Sequence, residues 1–137
     1  MSPWKRNNSE WGAPYSAQPK PKKNLVRFIS DFRNLNKKLK HKSYPMPKIN
    51  ERLLKLEGFQ YATPIDLRMG YYHIRLREKA SNLCMIIPPW GKYCYKRLPM
   101  VVTNSPNIFR QKMNDLFNVF EFICVFIDDL WVLTKGD

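Results

Sequence analysis

The sequence has no apolar run long enough to cross a membrane, and its first twenty residues are polar and lack the apolar core of a secretory signal. It contains only three cysteines, Cys84, Cys94 and Cys124, which is an odd number without metal-ligand spacing. The expectation is therefore an intracellular protein, cytosolic or nuclear, with reduced thiols. These features argue against membrane-spanning, disulfide-stabilised and cysteine-ligated metal proteins.

Acidic residues are scarce: 24 lysines and arginines face 11 aspartates and glutamates, which gives a net charge of +13. Residues 20–48 hold ten basic residues against Asp31 alone, whereas after Asn114 five acidic residues face only Lys135. A basic half is typical of a protein with a polyanionic partner such as nucleic acid. A solvated, lysine-rich face that maintains solubility explains the same pattern, and charge alone does not separate the two.

The apolar pattern of the 137 residues, 44% of which are hydrophobic, predicts one α+β domain, or most of one, in which strands, hairpins and helices intermix. Residues 1–21 are expected to be an extended segment. The lysine-rich stretch after residue 32 is expected to be a short helix or loop, and Ser105 is a candidate helix cap. The predicted strands are 25–32, 59–67 and 71–77, the predicted hairpins are 83–87 with 93–98 and 122–127 with 130–133, and the predicted helices are 47–57 and 105–119.

Three aspartates are the candidates for metal chemistry. Asp66 ends an apolar strand, and Asp128 and Asp129 stand at the expected tip of the last hairpin. If that strand lies beside the hairpin, three hard oxygen donors converge on one sheet edge, which favours Mg²⁺ over zinc. Two such ions about 3.5–4 Å apart would stabilise an in-line phosphoryl displacement. Aspartates also tolerate turn geometry without any catalytic role, and that alternative stays open for the hairpin pair.

Seven short motifs follow one another from Ser9 to the end of the chain. They are Ser9–Pro14 (SEWGAP), Arg27–Asn36 (RFISDFRNLN), Tyr44–Pro47 (YPMP), Ile65–Tyr71 (IDLRMGY), Leu98–Met100 (LPM), Thr103–Phe109 (TNSPNIF) and Phe126–Asp129 (FIDD). Each motif is weak alone, but their order and spacing are specific. Together they resemble the reverse transcriptase of gypsy-type long-terminal-repeat retrotransposons.

The resemblance implies the fingers and part of the palm of a right-hand polymerase, with an antiparallel palm sheet that carries the catalytic hairpin and is flanked by helices. It assigns 22–58 and 72–104 to the fingers and 59–71 and 105–137 to the palm. The thumb and the ribonuclease H domain of the polyprotein are absent from this sequence and are expected elsewhere.

The implied activity is RNA-directed DNA synthesis on a primed RNA or DNA template. Asp66, Asp128 and Asp129 match the catalytic residues that hold two Mg²⁺ ions, with Mn²⁺ as an alternative. The primer 3′-hydroxyl would attack the α-phosphate of a deoxynucleoside triphosphate.

The resemblance also implies five nucleotide-binding residues. Tyr71 matches the aromatic gate that crowds a ribose 2′-hydroxyl, and Arg27 matches the arginine that packs on the incoming nucleotide. Met100 lies where the family places a residue against that nucleotide, and Lys22 and Lys23 lie where lysines of the fingers meet the triphosphate. Without the motifs, a core tyrosine and a surface arginine would explain the first two.

Two positions depart from the family pattern close to the implied site. Val101 stands where the family usually has glycine, and a positive φ there would cost valine about 1–3 kcal/mol. Phe126 replaces the usual tyrosine, which removes at most one hydrogen bond, worth about 1 kcal/mol. Such departures leave two further hypotheses open: a catalytically inactive remnant that still binds nucleic acid, and a scaffold without a nucleic-acid partner.

Overall fold

The computed structural model describes residues 4–21, 24–45, 54, 57–67, 69–126 and 129–136. The chain divides into two compact units, one formed by Met1–His41 and Tyr71–Ser105 and the other by Lys42–Gly70 and Pro106–Asp137. In chain order the described elements are β1 (Trp4–Arg6), β2 (Tyr15–Pro19), β3 (Val26–Ser30), α1 (Arg33–Lys38), β4 (Tyr61–Asp66), a 3-10 turn (Gly70–His73), α2 (Glu78–Leu83), β5 (Met85–Ile86), β6 (Tyr93–Tyr95), α3 (Ser105–Phe117), β7 (Ile123–Val125) and β8 (Asp129–Thr134). Helices and antiparallel strands alternate along the chain, which confirms the α+β class.

The first unit contains a three-stranded sheet in the order β1-β6-β5 and the hairpin β2-β3. An aromatic-rich core joins them, in which the rings of Phe32 and Tyr95 meet edge to face with centroids 5.9 Å apart. Such pairs contribute about 0.5–1.5 kcal/mol beyond area burial. The Tyr95 hydroxyl lies 2.7 Å from the Ser30 hydroxyl, so both buried polar groups are satisfied.

The second unit consists of the sheet β4-β8-β7 and most of helix α3. Leu130 and Leu133 of β8 are buried, as are Phe109 and Met113 of the helix. These four positions match the predicted apolar face of the helix and the predicted apolar strand. Leu116, which was predicted on the same helical face, is 60% exposed.

The predicted strand at 71–77 is wrong. Gly70–His73 forms a 3-10 turn instead, and the Ile74 N–H donates to the Tyr71 carbonyl at 3.1 Å. Only Arg75 makes a bridge, to Arg97. The alternation of apolar residues suggested a strand because Tyr72 and Leu76 both pack against the core, but the segment that carries them is not part of a strand.

The outcomes of the remaining secondary-structure expectations differ from one element to the next. The N-terminal segment is extended as predicted, but β1 and β2 within it pair with β6 and β3. Helix α2 was not predicted. Ser105 is the first residue of α3 and donates its hydroxyl to the Pro99 carbonyl at 2.6 Å. The predicted helix at 47–57 lies largely outside the described residues, and no helix within them is long and apolar enough to cross a membrane.

Candidate active site

Asp66 and Asp129 face each other across two neighbouring strands. Strand β4 ends at Asp66, β8 begins at Asp129, and the antiparallel register makes these two residues direct partners. Residues directly opposite in such a pair project to the same face of the sheet, with Cβ atoms about 4.5–5.5 Å apart. Two of the three predicted metal ligands are therefore neighbours at one end of the sheet.

The third predicted ligand, Asp128, lies outside the described residues. Asp129 was expected beside it at the hairpin tip, but it is the first residue of β8 and belongs to the ladder. Its carbonyl accepts a hydrogen bond from the Phe126 N–H at 2.8 Å, which closes the hairpin between β7 and β8. Strand pairing rather than turn preference thus accounts for the position of Asp129.

The local sequence explains why this ladder forms. Strand β4 is an edge strand of the β4-β8-β7 sheet, so Pro64 can stand opposite Trp131 without removing a bond from a central strand. Leu130 and Leu133 are both buried, and because they lie three positions apart they project to opposite faces of β8, the central strand of this sheet. Six consecutive residue pairs, from Tyr61 with Thr134 to Asp66 with Asp129, make up the ladder between β4 and β8, and this pairing sets the two aspartates opposite each other.

Electrostatics at this sheet end are unfavourable without a cation. Like charges directly opposite each other on a sheet repel. Within the described ranges the one ion pair joins Arg33 to Asp31, so no basic side chain there neutralises Asp66 or Asp129. In the same ranges no group of three His, Cys, Asp or Glu residues could hold a metal ion. Two carboxylates nevertheless provide the hard oxygen donors that Mg²⁺ prefers.

The chain leaving Asp66 is held tightly against helix α3. A Cβ placed on Gly70 would lie 2.7 Å from Cζ and 2.8 Å from Cε2 of the buried Phe109 ring. The preceding residue, Met69, has a φ of 56° and is the one non-glycine residue with positive φ among those described. Glycine at 70 therefore permits a backbone-to-ring contact that a Cβ atom would disturb unless the ring or the backbone shifted.

The residues predicted to bind the nucleotide lie in the first unit, on three separate elements. Arg27 is exposed on β3, Tyr71 is half-buried in the 3-10 turn, and Met100 is 61% exposed in the loop after β6. Lys22 and Lys23 lie outside the described residues. The fold thus brings the two described aspartates together in one unit and carries these three residues in the other.

Sequence reasoning missed a side-chain clamp on the loop that carries Met100. Asn36 in α1 donates from Nδ2 to the Val101 carbonyl at 2.9 Å, and its Oδ1 accepts from the Thr103 N–H at 2.9 Å. An asparagine inside a short helix, where its helix propensity is poor, was the available signal. Val101 does not share the positive φ of Met69, so the anticipated strain of valine at this position is absent.

Part of the basic stretch is already neutralised within the protein. Arg33 Nη2 lies 2.6 Å from Asp31 Oδ2, and Arg33 Nε donates to the same carboxylate. These side-chain hydrogen bonds, assisted by one from the Arg33 backbone N–H, lower the pKa of Asp31 to about 2. Both groups are at the surface, so the pair is a local brace at the start of α1 rather than a buried charge network.

Known proteins match this chain over most of its length. Residues 18–137 match the reverse transcriptase (RNA-dependent DNA polymerase) family. A putative enzymatic polyprotein of cassava vein mosaic virus is 36% identical over 115 residues, which cover 83% of this chain and 18% of that protein. The Pol polyprotein of transposon opus from Drosophila melanogaster is 32% identical over 135 residues, 94% of this chain and 14% of that protein. That of transposon gypsy, from the same organism, is 31% identical over 113 residues, 81% of this chain and 11% of that protein.

Solved structures share the fold. The protease–reverse transcriptase of prototype foamy virus superimposes with a TM-score of 0.83 at 23% identity, covering 98% of this chain and 18% of that one. A foamy viral protease–reverse transcriptase in complex with an RNA/DNA hybrid gives 0.82 at 23% identity, covering 97% and 18%. This chain spans less than a fifth of each of these relatives. The matches confirm the resemblance to gypsy-type retrotransposon polyproteins, and the chain belongs to the reverse transcriptase family.

Proposed function

We propose that this chain forms the catalytic part of an RNA-directed DNA polymerase, with 22–58 and 72–104 as the fingers and 59–71 and 105–137 as the palm. The first unit holds the proposed fingers except 42–58, and the second unit holds the proposed palm except Tyr71 and Ser105. The observation that carries the proposal is the direct pairing of Asp66 with Asp129 at the end of the palm sheet. A repelling carboxylate pair is unfavourable in a purely structural turn, but it suits a site that takes up cations.

Reverse transcriptases generally use divalent metal ions, and the donors present here fit Mg²⁺. Asp66 and Asp129 offer carboxylate oxygens from opposite strands, and Asp128 is the third proposed ligand. When bound, two Mg²⁺ ions would stabilise the attacking and leaving oxygens of nucleotidyl transfer. The aspartates themselves supply negative charge and position, which is most of what a protein contributes to phosphoryl transfer.

The first unit is proposed to bind the incoming deoxynucleoside triphosphate. Arg27 would reach its phosphates with a planar, permanently charged guanidinium. Tyr71 would crowd a ribose 2′-hydroxyl, and Met100 would contact the nucleotide from its loop. Lys22 and Lys23 would add charge near the triphosphate. The clamp from Asn36 supports this assignment because it fixes the backbone on both sides of residue 102, next to Met100.

The test transplants this chain into a relative of full length. Residues 9–137 replace the corresponding segment of a reverse transcriptase from a related transposon polyprotein, and primer extension on an RNA template is measured. Asp66→Asn and Asp129→Asn should each abolish extension, because either change removes a charged metal ligand. Asp115→Asn, which removes the same charge from an exposed position on α3, is the matched control and should retain it.

Metal binding is measured on the 137-residue chain itself. Bound Mn²⁺ should broaden nuclear magnetic resonance signals close to Asp66 and Asp129, and Asp66→Asn should suppress that broadening. Activity of the Asp66→Asn chimera, or Mn²⁺ broadening unaffected by the substitution, would contradict the proposal.

A further inference from the structure

A groove of about 780 Å³ on the first unit is lined by four cationic side chains. Lys5, Arg6, Arg75 and Lys96 contribute to its walls, and Glu78 is the one carboxylate among the lining residues. All five side chains belong to exposed residues. None of the four cations lies in the basic stretch at 20–48, and none belongs to the proposed polymerase site.

The fold assembles this charge from three distant segments. Strand β1 lies beside β6, with Lys5 opposite Cys94. The extended segment at Arg75 bridges to Arg97, and the Leu76 N–H donates to the Lys96 carbonyl at 2.9 Å. Backbone pairing therefore places cations from residues 5–6, 75 and 96 along one groove.

A side-chain hydrogen bond supports one wall of the groove. Asn7 Nδ2 donates to Asn82 Oδ1 at 2.9 Å and ties the end of β1 to helix α2. The Asn7 N–H also donates to the Lys92 carbonyl at 3.0 Å, which continues the pairing of β1 with β6 by one residue. Hydrogen bonds thus fix the strand that bears two of the four cations.

These cations are not neutralised inside the protein. Across the described part of the chain, the one pair with N···O within 4.0 Å is Arg33 with Asp31, and neither residue lines the groove. Four like charges gathered in a concave surface raise the local concentration of anions. Two of them are arginines, whose forked donors match a phosphate in bidentate fashion.

We propose that this groove binds the phosphodiester backbone of a nucleic-acid strand, as a contact additional to the polymerase site. The lining contains no aromatic side chain on which a base could stack, so contact is with phosphate and sugar and does not depend on base sequence. The choice of nucleic acid among phosphate-bearing ligands rests on the proposed polymerase function.

The experiment measures binding of a fluorescent RNA–DNA hybrid to the 137-residue chain across a salt series. The groove variant carries Lys5→Gln, Arg6→Gln, Arg75→Gln and Lys96→Gln. Every phosphate that the protein no longer neutralises reduces the slope of log K against log salt by about one. The groove variant should therefore bind at least about tenfold more weakly at low salt and show a shallower slope.

The matched control removes four positive charges elsewhere on the same unit, at Lys20, Lys37, Lys38 and Lys40, all of which are exposed and none of which lines the groove. It should lose clearly less affinity than the groove variant. Equal losses would show that net charge alone drives binding, and the proposal would fail.

Glu78→Gln gives a test that misfolding cannot imitate. Removing the one carboxylate of the lining should tighten hybrid binding about two- to fivefold, by analogy with one screened charge contact. The conservative pair Lys5→Arg and Lys96→Arg should bind like the unmodified chain. An unchanged affinity for Glu78→Gln would overturn the assignment of the groove.

Competition separates the sources of phosphate. Tripolyphosphate and phosphatidylserine vesicles are compared with unlabelled hybrid at equal phosphate concentration, and the hybrid should displace the probe most effectively. Equal displacement by tripolyphosphate would show that the groove binds a compact anion, and equal displacement by the vesicles would show that it binds a membrane surface. Either result would contradict the proposed nucleic-acid ligand. Asp66→Asn should leave groove-dependent binding intact, so failure of the polymerase proposal and failure of the groove proposal give different results.

Discussion

Replacing Gly70 with alanine should destabilise the second unit through one defined clash. The added Cβ would lie 2.7 and 2.8 Å from two atoms of the Phe109 ring, whereas carbon atoms pack best at about 3.5–4.0 Å. Phe109 is only 3% exposed, so the ring cannot swing into solvent. Either the ring or the chain that follows Asp66 must move by about 1 Å, and overpacking of this kind costs about 1–3 kcal/mol.

A second, stabilising effect reduces the net loss in the free energy of unfolding caused by Gly70→Ala. Gly70 does not have a positive φ, so alanine can adopt its backbone conformation, and it restricts the unfolded chain. That restriction stabilises by about 0.4–1 kcal/mol. The free energy of unfolding measured by urea denaturation should therefore fall by about 1–2 kcal/mol in Gly70→Ala.

A double-mutant cycle with Phe109→Leu isolates the clash. Leucine removes the ring atoms that the new methyl group meets, so Gly70→Ala should cost much less in that background. Gly58→Ala is the control, because Gly58 has a φ of 85° and open space around it. Its cost comes from the backbone and should be equal in both backgrounds. An equal cost of Gly70→Ala with and without the Phe109 ring would refute the packing argument.

Four further outcomes are expected. Met69→Asn should raise the free energy of unfolding by up to about 1 kcal/mol, because asparagine tolerates the positive φ, as urea denaturation would show. Asn36→Ala should speed hydrogen exchange of the Thr103 amide, which loses its acceptor. Burial raises the pKa of Cys84 to about 12, so the folded chain should resist alkylation of this thiol at pH 8, and stability should fall as pH rises from about 9 towards 12. Tyr71→Ala in the chimera should increase incorporation of ribonucleotides relative to deoxynucleotides, and an unchanged ratio would return Tyr71 to a purely structural role.

The sequence predicted those elements whose apolar pattern is strong. The strand before Asp66, both hairpins and the long helix after Pro99 are confirmed; β4, β5, β6, β7 and α3 are shorter than expected, whereas β8 is longer. Helix α2 was missed because none of its six residues is buried, so it has no apolar stripe to detect. The prediction for 71–77 failed for the opposite reason. Apolar and polar residues do alternate there, but the segment begins in the 3-10 turn Gly70–His73 instead of forming a strand.

The sequence predicted which aspartates belong to the candidate site, but it did not predict how the strands that carry them pair. An aspartate at the end of an apolar strand can be recognised from sequence, but which residue it meets depends on long-range pairing. The ladder places Asp129 opposite Asp66, through pairing between two strands that are far apart in the sequence. The clamp joins Asn36 to Val101 and Thr103, which lie 65 and 67 positions later in the sequence. No local sequence pattern reveals contacts over such separations.

Each of the two units gathers charge of one sign at one place on its surface. The Asp66–Asp129 pair gathers negative charge that no basic side chain offsets in the described part of the chain, and the groove between β1 and α2 gathers positive charge in the same way. Each arrangement opposes folding by self-repulsion, so stability must come from elsewhere, from the aromatic core in one unit and from β8 and α3 in the other. Local charge repulsion that a fold tolerates is expected where ligands bind, because the ligand relieves it. The signs match the proposed substrates: carboxylates for cations at one site, and cations for phosphates at the other.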